Sequence, residues 1–163
     1  MTSLLPAWSS QFSPDSLRQL QAVGPIGEIT REWAWGGSTG KGARVAVVDS
    51  GIEEDHPAIG GMVRGGVIVE YDGRMKTGVR ISDDPHPRDL FGHATACAGI
   101  IHLLAPEAEL YSVRVLGRDL TGRALQFAGG LRWAIENGMS IINLSLSTSR
   151  EEYYGMFHEI TDD

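Results

Sequence analysis

Apolar positions along the chain change their spacing several times, and each change marks an element. Ala43-Arg44-Val45-Ala46-Val47-Val48-Asp49 is a β-branched, apolar run that stops at a carboxylate, which predicts a buried strand ending at Asp49. From Gly92 to about Leu104 the pattern is helical, and Pro106 closes it. Residues 110–116 form the next apolar strand. Ala124, Phe127, Ala128, Leu131, Ala134 and Ile135 then recur at helical spacing, with Thr121 expected as the cap and Gly138 as the stop. Ile141-Ile142-Asn143-Leu144 makes a further strand. Residues 53–87 alternate turn residues with one weak strand at 66–71 and are the least patterned third. Two short helical signals precede all of this, one after Ser13-Pro14-Asp15 with Leu17 and Leu20 on one face, the other over 28–35.

Strand, helix, strand is a βαβ unit, and such units pair their strands in parallel through a crossover. The expected fold class is therefore α/β: a parallel twisted sheet with helices on both faces. Three stretches follow: a helical lead-in over 1–42, a core over 43–148 and a tail over 149–163 that is either a helix or frayed. Ligands of open α/β sheets gather at the carboxyl ends of strands, where Asp49 sits.

Composition narrows the functions available. The 163 residues suit one domain, and 14 basic against 21 acidic side chains leave a net charge of −7. That balance, without a basic patch, argues against nucleic-acid and anionic-membrane partners. The single cysteine, Cys97, allows no internal disulfide. No apolar run approaches the ~20 residues needed to span a bilayer. With no basic leader before Pro6, the expected location is cytoplasmic. Glycine is abundant, 21 residues, but scattered as turn punctuation without any repeat.

A strand-end aspartate alone reads equally well as a turn carboxylate. The second signal is Phe91-Gly92-His93-Ala94-Thr95-Ala96-Cys97, a histidine opening a helix among small residues that leave its ring reachable. Beside a carboxylate, such an imidazole can be held in one tautomer and serve as a general base. Other signals fade on inspection. His56 lies in an Asp-His-Pro turn with no third metal ligand in view, so no metal site is expected. Gly40-Lys41 lacks the following Ser or Thr of a phosphate loop and precedes a strand. A receiver-like fold with Asp49 as phosphoacceptor has no place for the segment around His93.

Three separated segments, in order, resemble the subtilisin-like serine proteases, the subtilases (peptidase S8 family). VAVVDSGIEEDHPAI resembles the family's aspartate signature and FGHATACAGII its histidine signature. APEAELYSVRVLG through INLSLS is similar to the strand, helix and strand that carry the substrate-binding edges. Together they cover roughly residues 30–148. The resemblance implies that Asp49 and His93 are the triad aspartate and base. It also implies that Leu120-Thr121-Gly122 and Ser145-Leu146-Ser147 are edges between which a peptide lies as an added strand.

The departures are equally specific. In the family the nucleophilic serine and the oxyanion asparagine lie downstream of the SLS segment, and no G-T-S-M-A or G-x-S-x-G pattern occurs in these 163 residues. Alone they are expected to be inactive, since an oxyanion donor by itself is worth roughly 10²–10³ in rate. Ala94 stands where the family has glycine, a harmless change unless that position needs an unusual backbone angle. Ser147 and Thr148 replace paired glycines along the specificity pocket. Cys97 lies one turn after His93, as in the thiol-containing branch, and reads as a small buried apolar group. The expectation is thus the Asp/His half of a serine-type endopeptidase acting on peptide or protein substrates, its partner a C-terminal half carrying the serine. The alternatives are a non-catalytic peptide-binding half or one component of a split enzyme completed in trans. No cofactor is expected, and nothing in the sequence supports a calcium site.

Overall fold

The computed structural model describes residues 30–148 and 150–162. The chain forms two compact units, Met1–Ser38 and Thr39–Asp163. The helical signal after Ser13-Pro14-Asp15 lies outside the described residues. The second signal is the helix α1 (Arg31–Trp35), whose N-cap Thr30 accepts from the Trp33 amide at 3.1 Å and which ends at Gly36.

Among its described residues, the larger unit is a five-stranded sheet flanked by helices. In chain order the elements are β1 (Arg44–Asp49), β2 (Val63–Tyr71), β3 (Val79–Asp83), α2 (His93–Leu104), β4 (Glu109–Arg114), α3 (Ala124–Glu136), β5 (Ile141–Asn143) and α4 (Tyr154–Thr161). The strand order is β3-β2-β4-β1-β5. β2, β4, β1 and β5 are parallel, with Asp49 opposite Arg114 and Val47 opposite both Ser112 and Asn143.

Alternation along β1 explains why both faces carry helices. Val45 and Val47 pack with Ala94 and Ala98 of α2, together with Ile52, Ile59 and Leu110. Ala46 and Val48 point the other way, into a cluster with Val67, Val113, Val115 and the α3 residues Phe127 and Ala134. A strand buried on both sides must be apolar at nearly every position, as this one is. α4 lies against α3 through Ile160, Ala128 and Leu131, so the 149–163 stretch contains a packed helix and not a frayed end.

The α/β class with helices on both faces holds, and three details are corrected. The sheet is mixed: β3 pairs antiparallel with β2, Val67 opposite Asp83 and Tyr71 opposite Val79. Its exposed positions give β3 little apolar pattern to read. The strand expected over 110–116 ends at Arg114, because the Val115 and Leu116 amides both turn onto the Asp49 carbonyl, at 2.8 and 3.1 Å. Thr121 does not cap α3; the N-cap is Arg123, whose amide donates to Gln126 Oε1 at 3.0 Å, while the Thr121 hydroxyl is spent on Asp119 Oδ1. The other end of α3 is as expected, with the Gly138 amide on the Ile135 carbonyl and the Met139 amide on that of Ala134. Among the described residues no helix is long and apolar enough to cross a membrane.

Candidate active site

β1 delivers Asp49 to the carboxyl end of the sheet, and α2 begins there with His93. The two side chains meet: His93 Nδ1 lies 2.7 Å from Asp49 Oδ2. Asp49 is fully buried, whereas the His93 side chain is 38% exposed. A carboxylate can only accept, so the ring presents its Nδ1–H to Asp49 and leaves the Nε2 lone pair for an outside proton. The second oxygen, Asp49 Oδ1, accepts the Ser50 amide at 2.7 Å. A buried charge is tolerated when both oxygens are paired in this way.

Two glycines make the approach possible. Gly51 has φ +95, and a Cβ there would lie 2.3 Å from the Arg88 carbonyl oxygen. Gly92, the N-cap of α2, has φ +106, a left-handed turn that aims the helix start at β1. Ala94, by contrast, takes ordinary helical backbone and is fully buried against the sheet, so its position needs no unusual backbone angle.

The sequence reading missed the polar frame behind this pair. Asp89 accepts five hydrogen bonds. Oδ1 takes the Ser50 hydroxyl at 2.7 Å and the amides of Phe91 and Gly92 at 2.9 and 2.7 Å. Oδ2 takes the Thr95 amide and hydroxyl at 2.8 and 2.6 Å. Burial pushes the Asp89 carboxyl up, but the bonds from Thr95, Gly92, Phe91 and Ser50 outweigh it and hold the group below its ordinary value. The available signal was an aspartate two and three residues before amides at a helix start, the pattern of an Asx turn.

The candidate peptide-binding edges lie beyond the neighbouring strands. Leu120-Thr121-Gly122 follows β4 and Ser145-Leu146-Ser147 follows β5, so the order β4-β1-β5 sets them on either side of the Asp49 strand end. Leu120 and Leu146 both pack against the α3-side core, while Thr121, Gly122, Ser145 and Ser147 are exposed. Leu120 is held at φ +55. The turn it belongs to closes between the Gly117 amide and the Thr121 carbonyl at 2.9 Å. The Thr121 hydroxyl, and after it the Thr121 amide, holds the exposed Asp119 carboxyl below its usual range. Ser145 Oγ donates to Asn143 Oδ1 at 3.0 Å.

Cys97 joins Asp49 and His93 in a group whose potential metal-donor atoms lie within 4.8 Å of one another. Asp49 and His93 already satisfy each other there, and Cys97 packs against the apolar α2-side cluster. His56 uses Nδ1 to accept the Ala58 amide at 3.2 Å, capping its own short turn.

A mixed α/β sheet with an Asp–His pair at the carboxyl edge of its central strands defines a class, and comparison with known proteins places the chain within it. The profile of the Subtilase family matches residues 40–161, and the chain belongs to that family. It is 40% identical over 121 residues to Subtilisin BL of Lederbergia lenta, covering 69% of this chain and 40% of that protein. The Alkaline protease of Alkalihalobacillus alcalophilus is 39% identical over 174 aligned positions, covering 88% of this chain and 42% of the other. Thermitase of Thermoactinomyces vulgaris is 33% identical over 129 residues, covering 73% and 42%. The chain thus spans about two fifths of these relatives' length. The crystal structure of a cold adapted subtilisin-like serine proteinase has the same fold, with TM-score 0.54, 21% identity, and coverage of 77% of this chain and 45% of that one.

Proposed function

We propose that these residues are the Asp/His half of a serine-type endopeptidase. The observation that carries the reading is the 2.7 Å contact between the buried Asp49 carboxylate and a half-exposed His93 ring. In the complete site a serine hydroxyl attacks the scissile carbonyl while His93 Nε2 takes its proton. Asp49 keeps the ring oriented and stabilises the imidazolium. The proton then passes to the leaving amine, and water, deprotonated by the same nitrogen, hydrolyses the acyl-enzyme. The peptide lies as an added strand between residues 120–122 and 145–147, held by backbone hydrogen bonds. No serine within these 163 residues stands in a nucleophile segment, so the hydroxyl comes from polypeptide outside them.

A chimaera tests this. Residues 40–161 replace the matched part of the alkaline protease named above, and hydrolysis of a chromogenic peptide is followed. The chimaera is expected to be active and to react with a fluorophosphonate. Asp49→Asn should lower kcat by roughly 10⁴-fold and His93→Ala by roughly 10⁶-fold, each with KM little changed. A folded chimaera whose activity survives both substitutions overturns the assignment. The unfused 163-residue chain should not react with the fluorophosphonate; stoichiometric labelling of any of its serines would contradict the external nucleophile.

A further inference from the structure

Asp89 touches neither Asp49 nor His93 in any hydrogen bond described above, yet it ties together the two segments that carry them. One of its oxygens gathers the Ser50 hydroxyl and the Phe91 and Gly92 amides; the other gathers both donors of Thr95. Ser50 follows Asp49 directly and also accepts the Ala94 amide at 3.3 Å, so its hydroxyl bridges the β1 end to the first turn of α2. Thr95 Oγ1 passes the link on by accepting the Glu53 amide at 3.0 Å. The Leu90 amide on the Ser50 carbonyl, at 3.2 Å, closes the frame.

Apolar packing does not substitute for this frame. The fully buried residues of α2 are Ala94, Thr95 and Ala98, with Cys97 and Ile101 partly buried beside them, and a contact made mostly by small side chains fixes a helix only loosely in rotation. A ring held 2.7 Å from a carboxylate tolerates little such rotation. We infer that Asp89 is a positioning residue: through Ser50, Gly92 and Thr95 it sets the angle at which His93 Nδ1 faces Asp49. The inference rests on the reading of Asp49 and His93 as a proton-handling pair. The low carboxyl value of Asp89 agrees with a group that acts as a permanent anion among five donors.

Nuclear magnetic resonance of the ¹⁵N-histidine-labelled 163-residue chain tests it, with His93→Gln used for assignment. The parent should show His93 as the Nδ1–H tautomer. Asp89→Asn presents an amide NH₂ to donors, and Thr95→Val removes one donor; each should lower the Nδ1–H to Nε2–H ratio by roughly tenfold, the size of one charge-assisted hydrogen bond. Thr95→Ser, which keeps both donors, should restore the parental ratio. Leu131→Ala, on the far side of the sheet, should leave it unchanged. If Asp89→Asn does not fold, Thr95→Val against Thr95→Ser decides alone. A parental ratio in folded Asp89→Asn and Thr95→Val overturns the inference and leaves the pair intact, as does an equal shift in Leu131→Ala, which would mean general loosening. A parent with His93 in the Nε2–H form overturns the pair itself, and this inference with it.

Discussion

The two faces of the sheet are held in different ways. On one, α3 buries Phe127, Ala128, Gly129, Gly130, Leu131 and Ala134, and α4 closes over it through Ile160. On the other, α2 meets the sheet mainly through small residues, Ala94, Cys97 and Ala98, with Ile101 beside them, and its outer side carries Ile100 and Leu103, 60% and 71% exposed. These two line an open groove of about 650 Å³ with Phe91, Glu53 and Asp89. The face bearing the candidate catalytic histidine is thus the less covered one, fixed at its start by hydrogen bonds where α3 is fixed by apolar contact. A helix with small side chains can lie close to the strands, and that closeness lets a ring at its first residue reach a carboxylate at a strand end.

If this contrast is right, substitutions on the two faces should differ in kind. The largest effect should come from Leu131→Ala, which opens a cavity between α3 and α4; urea unfolding should register a loss of roughly 2–5 kcal/mol. Gly51→Ala comes next, forcing a left-handed backbone and a clash with the Arg88 carbonyl. About 1–3 kcal/mol is expected from strain alone, with the His93 resonances displaced as well. A Gly51→Ala chain as stable as the parent would show that the β1–α2 junction yields more easily than its close contacts imply.

A smaller, pH-dependent effect should mark the polar side. The folded-state Asp89 carboxyl lies below the 3.8 of an unperturbed aspartate, so the unfolded chain binds the proton first on acidification. Its contribution is therefore complete above about pH 4 and fades as pH falls through the lower, folded value. The stability gap between parent and Asp89→Asn should narrow over that window, whereas the gap between parent and Leu131→Ala should stay constant. A pH-independent gap for Asp89→Asn would remove the charge from the explanation. The smallest effect should be that of Leu103→Ala, within about 0.5 kcal/mol, because its side chain already faces water. Binding of a hydrophobic dye should nevertheless fall in Leu103→Ala, since the exposed strip along α2 loses a member.

How far the sequence led depends on the range of the interactions involved. The ends of α2 were readable because Gly92 and Pro106 punctuate the chain locally, and Gly138 marked the far end of α3 for the same reason. The start of α3 was not: Thr121 is a good capping type, but Asp119 two residues earlier competes for its hydroxyl, and that competition is settled by the turn's three-dimensional path. β3 was invisible because it is an edge strand with mostly exposed side chains, paired by backbone groups that every residue owns. Asp49 and His93 were each ambiguous alone, and only the family resemblance joined them before the geometry did.

By itself the sequence determined the apolar run that buries β1, the small-residue helix with a histidine at its head, and the absence of a nucleophile segment in these 163 residues. Periodicity and residue type are local properties, and they suffice for those statements. Tertiary structure alone decided that the Asp49 and His93 side chains touch and that the Ser50 hydroxyl joins the four local donors of Phe91, Gly92 and Thr95 on Asp89. It also decided that the outer side of α2 stays open while that of α3 is covered. Those outcomes depend on which strands become neighbours, a long-range choice made by the summed burial of the core and written in no single stretch of the chain.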